Sequence, residues 1–310
     1  MKKIIIIIFV AIAVTGGILF TVGIVKNKQS TVVNAYELTE EYKNITIDVA
    51  TTDVYFKVSE DGKTKMVAEE AENEKHTVQI IDGVLTITRE DNKKWYEKMF
   101  DFGSGAKLTL YLPNANDFAD LNIKVSTGNV AVEKGFIFDN IVLDGSTGNT
   151  DIKAVVKGNI GATASTGDIS ISETTCKTAT IKVSTGKVFL SSVSIDEDLA
   201  ISSSTGNITL NELTCINLAL SVSTGNISLT ETVASGKFTA SASTGNITFN
   251  NFDAETIKIT ASTGSVRGSI KTDKNFYCTS DTGRVSVPKT DGGLCDIKVS
   301  TGDIVLEISK

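Results

Sequence analysis

Residues 199–210 read Leu199-Ala200-Ile201-Ser202-Ser203-Ser204-Thr205-Gly206-Asn207-Ile208-Thr209-Leu210. One residue separates Leu199 from Ile201, and one separates Ile208 from Leu210 beyond the glycine. That spacing is strand periodicity, with one face inward. Parity changes at Gly206: inward positions run seven, five and three residues before it, then two and four after it. A bend with one residue at positive φ or in a bulge produces the shift, and glycine accepts that conformation.

The pattern returns ten times, with glycine at 128, 148, 167, 186, 206, 225, 245, 264, 283 and 302, always 19 or 20 residues apart. Nine of the tripeptides are Ser-Thr-Gly and the tenth is Asp281-Thr282-Gly283. Seven residues before each glycine the side chain is apolar, from Leu121 to Cys295, and five before it likewise, from Ile123 to Ile297. Two after it stands Val or Ile except at Thr150, and four after it an apolar residue except at Gly268. A further inward pair follows at seven and nine, as in Val193 and Ile195 or Leu213 and Cys215. No column recurs at helical spacing. So regular a period means stacked identical units, each made of two or three short strands around an apolar interior.

The expected fold is therefore all-β, a parallel β-solenoid of about ten rungs over 121–310, with rungs roughly 4.8 Å apart. Ser, Thr and Asn repeated at one corner are expected to form a turn with a hydrogen-bond ladder running from rung to rung. The sequons at Asn207, Asn226 and Asn246 follow from that repeat. With rungs stacked in chain order, the Gly302 rung forms the C-terminal end, and Glu307 and Lys310 are its edge charges.

Residues 29–120 are less regular. Residues 29–36 suggest a linker, and 37–120 suggest degenerate rungs and hairpins capping the solenoid, because an uncapped end exposes a strand edge and core. Strand-like alternation runs over 45–49, 53–58, 77–81, 84–88 and 107–112, and Ala50-Thr51-Thr52-Asp53-Val54 reads as a decayed turn of the repeat.

Residues 4–25 are uncharged, and as a helix those 22 residues would span about 33 Å, enough to cross a bilayer. The expectation for 1–28 is an N-terminal transmembrane anchor with the C-terminal body outside the cytoplasm. A cleaved signal peptide is the alternative, but its small-x-small site, Ala11-Ile12-Ala13, lies mid-run. Lysines 2, 3, 26 and 28 flank both ends, so positive-inside asymmetry is nearly silent.

The chain of 310 residues carries a net charge of −7, and beyond residue 28 the balance is 26 basic to 37 acidic, or −11. That argues against a nucleic-acid binder. A single histidine, His76, and four scattered cysteines leave little material for a zinc site or a histidine-dependent triad. No cofactor or metal site is expected. Cys176, Cys215, Cys278 and Cys295 all fall in inward columns and are expected to be buried free thiols, with Cys278 and Cys295 too far apart to bridge. Asp151, Asp168, Asp281 and Asp303 are spread along the stack, whereas glycoside cleavage needs carboxylates within about 5–10 Å. No catalytic residues emerge, and the protein is not expected to be an enzyme.

Two surfaces are candidates for binding. Outward hydroxyls at strand spacing, Thr163/Ser165, Ser202/Ser204, Ser221/Ser223, Ser241/Ser243 and Thr260/Ser262, form a face suited to a glycan, interrupted by Lys124, Asp144, Lys182 and Lys298. The aromatic segment at 92–103, with Trp95, Tyr96, Met99, Phe100 and Phe102, suits either packing over the solenoid end or contact with a partner.

Repeats of STG-Asn/Asp at 19–20 residues, a divergent N-terminal β region and an N-terminal anchor resemble the bacterial "putative adhesin" family, which includes the membrane-anchored protein of lia-type cell-envelope stress operons. The resemblance covers about 40–310. It implies an extracytoplasmic β-repeat module at the cell membrane and carries over no catalytic or binding residues. Together these readings predict a single-pass, envelope-associated binding or structural module. Its expected partners are an envelope protein or a cell-surface glycan, and the membrane through residues 4–25. An accessory role in envelope-stress signalling and a β-helix polysaccharide-active enzyme are the alternatives.

Overall fold

The computed structural model describes residues 11–14, 17–22, 31–71, 75–89, 105–114 and 117–309. Every regular element among them is a strand. The fold is a parallel β-solenoid of about nine turns, and it divides into two compact units, residues 1–150 and 151–310.

The first unit begins with antiparallel strands. β1 (Ala11–Val14) pairs with β2 (Gly17–Val22), and β2 with β3 (Thr31–Glu37). Strands thus stand at 11–14 and 17–22, within the segment 4–25 where a helix is expected from the sequence; its other residues lie outside the described ones. A run whose only polar side chains are Thr15 and Thr21 has no period to read, so pattern alone cannot separate helix from strand. β-branched Ile, Val and Thr favour the extended form wherever a neighbouring strand completes the backbone pairing. No helix among the described residues is long and apolar enough to cross a membrane. From residue 31 onward the linker suggested at 29–36 is strand: β3 is antiparallel to β5 (Lys65–Ala71).

After β3 come the fifteen-residue β4 (Asn44–Val58), β5, the hairpin of β6 (Thr77–Ile81) and β7 (Val84–Arg89), and β8 (Ala106–Leu112). Then follow β9 (Asp117–Thr127), β10 (Val130–Val132) and β11 (Ile137–Thr147), with β12 (Thr150–Ile152) at the division. β4 is a rung in its own right. Its first half pairs in parallel with β7 and β9, and its second half with β8 and β10. The bend between the halves is the decayed turn, with Thr51 beside Thr127. β5 closes β8 from the far side in antiparallel pairing. Inward Ile45, Ile47, Val54, Phe56, Leu108 and Leu110 are at most 1% exposed and make the core.

The second unit holds β13 (Val155–Val156), β14 (Asn159–Thr166), β15 (Ile169–Cys176), β16 (Thr178–Thr185), β17 (Val188–Ile195), β18 (Asp198–Thr205), β19 (Ile208–Cys215) and β20 (Asn217–Thr224). Its remaining strands are β21 (Ile227–Thr244), β22 (Ile247–Thr263), β23 (Val266–Ile270), β24 (Lys274–Thr282), β25 (Val285–Ser286), β26 (Gly293–Thr301) and β27 (Ile304–Ile308). Strands before the glycine stack on one another in parallel, as do those after it, with the inward columns aligned from rung to rung: Ile181 beside Ile201, then Leu220 and Ala240. No rung has a core of its own, so each is stable only against its neighbours.

The corner glycine answers two demands. Its φ lies between 134° and 153° at all ten positions. It also stacks directly on the preceding corner: a Cβ on Gly206 would lie 1.8 Å from the carbonyl oxygen of Gly186, and one on Gly225 2.0 Å from that of Gly206. The residue after the glycine makes the ladder. Asn207 Oδ1 accepts the backbone N–H of Asn226 at 2.9 Å, Asn226 that of Asn246 at 2.8 Å, and Asn246 that of Ser265 at 2.8 Å. Asp168 serves Lys187 in the same way at 2.7 Å. A side-chain carbonyl or carboxylate oxygen suits that role, which explains Asn or Asp in seven of the ten rungs; in the Gly264 rung the Ser265 hydroxyl accepts the Asp303 N–H at 3.1 Å instead.

A second corner sits six residues past the glycine. Glu173, Ser192, Glu212, Glu231 and Asn251 all have φ between 46° and 55°. This left-handed residue produces the second parity change, between inward positions at four and seven. Gly268, the exception in the apolar column, has φ 134°, and a Cβ there would lie 1.9 Å from the Phe249 carbonyl oxygen. Register slips by one residue just beyond it, so that Phe252 faces Ile270.

Stacking departs from chain order at the C-terminal end. β22 pairs with β26, not β24, and β23 with β27. β24 and β25 lie on the other side of that last rung. The ladder runs the same way: Gly264 donates to Thr301 O and Gly302 to Thr282 O, each at 2.9 Å. The Gly302 rung is therefore enclosed, and the Gly283 rung is outermost. Val285 is 39% exposed, whereas Ile304 and Val266 in the same column are 0% exposed. β25 is only two residues long and Pro288 follows it, so little regular edge is offered there.

Candidate functional site

The ten hydroxyl residues proposed for a glycan face are all exposed, on the outer face of the second unit. Register lines up four of them. Ser202 stands beside Ser221, Ser221 beside Ser241, and Ser241 beside Thr260, with the Ser241 hydroxyl donating to that of Ser221 at 3.0 Å. This row lines a shallow groove of about 540 Å³ across β16, β18, β20, β21 and β22. The groove exists because Ala200, Ala219, Ser202 and Ser221 are small and their taller neighbours stand at its ends. Thr163, Ser165, Ser204, Ser223, Ser243 and Ser262 lie outside it.

Three exposed lysines border the row: Lys182 at one end, Lys237 and Lys258 at the other. Lys182, which in the sequence merely interrupts the hydroxyls, is part of the site. No acidic side chain and no aromatic ring lines the groove. A second concavity of about 620 Å³ lies over the outermost rungs, bordered by Tyr277, Leu294, Asp296 and Lys298. It is larger but lacks the repeated register.

The Toastrack DUF4097 family matches residues 42–217 and 208–310. The chain belongs to that family. Among solved structures, this Toastrack chain is similar to a putative adhesin from Bacteroides fragilis NCTC 9343, with 16% identity and a TM-score of 0.45, over 91% of this chain and 100% of that one. A putative adhesin from Parabacteroides distasonis ATCC 8503 has 12% identity and a TM-score of 0.49, over 91% and 99%. A putative lipid binding protein from the same organism has 16% identity and a TM-score of 0.47, over 86% and 96%. No curated protein matches the sequence.

The aromatic candidates Trp95, Tyr96, Met99, Phe100 and Phe102 lie outside the described residues. The cysteines are free thiols. Cys176, Cys215 and Cys295 are buried, and burial pushes the first two up to about 12. Cys278 is only half-buried because its rung is outermost, and a hydrogen bond from Cys295 holds its thiol below the usual range. The expected enclosure of all four fails at that one position.

Of the four scattered carboxylates, Asp168 and Asp303 are occupied as ladder acceptors, the latter taking the Arg284 N–H at 3.0 Å and the Arg267 guanidinium at 2.6 Å. Among the described residues, no group of three His, Cys, Asp or Glu side chains is placed to hold a metal ion.

The Toastrack chain does contain one arrangement that no sequence pattern foreshadows. In the first unit, Glu70 Oε2 is 2.5 Å from His76 Nδ1, and His76 Nε2 is 3.2 Å from Thr52 Oγ1. Asn34 donates to the other carboxylate oxygen, and the His76 backbone N–H adds a bond of 2.7 Å to Oε2. An ionised carboxylate only accepts, so Nδ1 carries a proton and donates it to Glu70, while Nε2 shares a hydrogen bond with the Thr52 hydroxyl. The order of carboxylate, imidazole and hydroxyl is that of a hydrolytic triad. Glu70 and His76 expose no side-chain surface, and Thr52 is 1% exposed. A substrate atom has no approach to the hydroxyl, so the array acts as a buried tether joining β3, β4 and β5 to the segment before β6. Its signal in the sequence is faint: one histidine and one glutamate in inward register with a decayed turn.

Proposed function

We propose that this protein is a binding and structural module of the cell envelope that presents the hydroxyl face of its solenoid to a cell-surface glycan, and that it acts by binding and not by catalysis. The observation that carries the reading is the row of Ser202, Ser221, Ser241 and Thr260, held in register on a parallel sheet and opening into a groove. A sheet fixed by stacking holds such groups at a constant spacing of about 4.8 Å, which suits a repeating ligand. The carboxylates needed for polysaccharide cleavage are spread along the ladder or enclosed, which speaks against the enzyme alternative.

In this reading residues 4–25 hold the body at the membrane with the solenoid outside the cytoplasm. Inside a bilayer the segment must satisfy its own backbone hydrogen bonds, so it would exchange its pairing with β3 for a helix. Resemblance to the lia-type protein supports a second role, as an accessory of envelope-stress signalling through a protein partner.

The test is retention of the full chain, in mild detergent, on purified wall glycans. Retention that falls at least tenfold when Ala219→Trp and Ser221→Trp fill the groove is the expected result. Absence of retention on every glycan, with specific capture of one envelope protein, would replace this reading with the signalling one.

A further inference from the structure

We infer that the groove takes an anionic chain polymer, a polyol-phosphate or uronate type of surface glycan, and not a neutral one. This deepens the glycan reading above and rests on it. The chain is acidic, −7 overall, yet the groove is bordered by Lys182, Lys237 and Lys258 and by no carboxylate. None of these lysines has an ion pair with a carboxylate among the described residues. Asp296 faces Lys258 in register but does not line the groove. The three ammonium groups are thus left to solvent or to a ligand.

Their placement suits a chain. Lys182 belongs to the Gly186 rung, while Lys237 and Lys258 belong to the Gly245 and Gly264 rungs. At about 4.8 Å per rung the two ends are roughly 14–19 Å apart along the stacking axis. Between them lie Ala200, Ala219 and the hydroxyl row. A polymer lying along the axis, across the strands, would meet a cation at each end and hydroxyl donors between. Hydroxyls and ammonium groups both donate to phosphate or carboxylate oxygens.

Other occupants fit less well. Single-stranded nucleic acid is held through bases stacked on aromatic rings, and the groove has none. A neutral sugar would likewise lack a ring to pack on and would leave three ammonium groups uncompensated. Acids elsewhere on the chain repel a polyanion only within a Debye length, about 8 Å at physiological salt.

The experiment measures binding of the full chain in neutral detergent to polyglycerol phosphate, polygalacturonate, dextran and oligothymidylate, at 50 and 200 mM salt. It includes the triple variant Lys182→Gln, Lys237→Gln, Lys258→Gln, whose exposed positions leave the core intact and whose fold is checked by its thermal transition. The expected result is binding to the two acidic glycans and not to dextran. Raising the salt should weaken binding by about 20-fold, the loss that roughly three displaced counterions produce, and the triple variant should lose at least tenfold. Equal binding of dextran, or binding unchanged in the triple variant, overturns the inference while leaving the glycan reading standing. Oligothymidylate bound as tightly as the acidic glycans also overturns it, by making the groove a general polyanion site. No retention of any glycan overturns the underlying reading as well.

Discussion

The carboxylate of Glu70 accepts the Nδ1 proton of His76 at 2.5 Å, with neither side chain exposed. Removing the imidazole takes one of three donors from a buried carboxylate that still accepts from Asn34 and from the backbone N–H of residue 76, and a lost hydrogen bond to such a group costs about 1.5–3 kcal/mol. His76→Ala is therefore expected to lower the stability of the first unit by about that amount, read from the urea midpoint. Thr52→Val, which removes the hydroxyl shared by His76 Nε2 and the Arg89 guanidinium, should cost about 1–3 kcal/mol. Equal and negligible losses in both variants would show that the array is solvated.

The corner glycines make a sharper demand. Gly225→Ala would place a Cβ 2.0 Å from the Gly206 carbonyl oxygen at a φ of 147°. Backbone strain of this kind costs about 1–3 kcal/mol before the stacking clash is counted, so the thermal transition should fall by many degrees. Gly62→Ala is the control: its φ is 69°, but nothing lies within 4 Å of the new Cβ. It should cost about 1 kcal/mol.

These two positions show how far the sequence can be read. Parity change at Gly225 reveals a bend and the need for positive φ, and the columns on either side reveal the inward faces. The second reason for glycine, contact with the corner below, is a relation between rungs, and one rung's pattern does not contain it. The left-handed residues Glu173, Ser192, Glu212, Glu231 and Asn251 were accessible, since inward positions at four and seven demand a second parity change. Their identities hide them, because Glu and Ser are not turn glycines. Lys182 shows the same limit in the groove: along the strand it breaks a hydroxyl column, and only the neighbouring rungs make it a wall. The tether of Glu70, His76 and Thr52 joins residues whose sequence spacing follows no period. At residues 11–14 and 17–22 Thr21 is the one polar position, too little to mark a period, so the pattern could not decide between helix and strand.

Asp303 fastens the enclosed last rung to its neighbours on both sides. Its carboxylate accepts the backbone N–H of Arg284 and meets Arg267, and both hold it below the usual carboxylate range, the backbone bond first. A depressed folded value means that the contribution is present above the unfolded value, about 3.9, and is lost as pH falls through the lower folded one. Asp303→Asn keeps an acceptor but removes the charge. Its urea midpoint should lie below that of the parent at pH 7, and the two should converge as pH drops below about 4. A gap that stays constant down to pH 2 would assign the effect to geometry and not to ionisation.

Cys278 should stand apart from the other thiols. It is half-buried in the outermost rung and its thiol is held low by Cys295, whereas burial raises Cys176 and Cys215 to about 12. A lower value means more thiolate, which is the reactive species. At pH 8 the native chain should label at one cysteine, and Cys278→Ser should remove that reaction. The remaining three should react only after denaturation. Native labelling of Cys176 or Cys215 would contradict the inward assignment of their column.

The inserted last rung can be tested by covalent trapping. Lys258 faces Asp296 across β22 and β26, while Tyr277 on β24 faces Asp296 from the other side. Directly opposed residues on neighbouring strands lie within the 4.4–6.8 Å between Cα atoms that a disulfide spans, whereas strands two apart are separated by about 9.5 Å. In a chain whose native cysteines are replaced by serine, Lys258→Cys with Asp296→Cys should therefore close under mild oxidation. Lys258→Cys with Tyr277→Cys should stay reduced. Stacking in chain order predicts the reverse, because the Gly283 rung would then lie against the Gly264 rung and the Gly302 rung beyond it. Mass spectrometry of the linked peptides distinguishes the two arrangements. A link from 258 to 277 would mean that the Gly302 rung forms the exposed end after all, with Ile304 and Leu306 on the open edge in place of Val285.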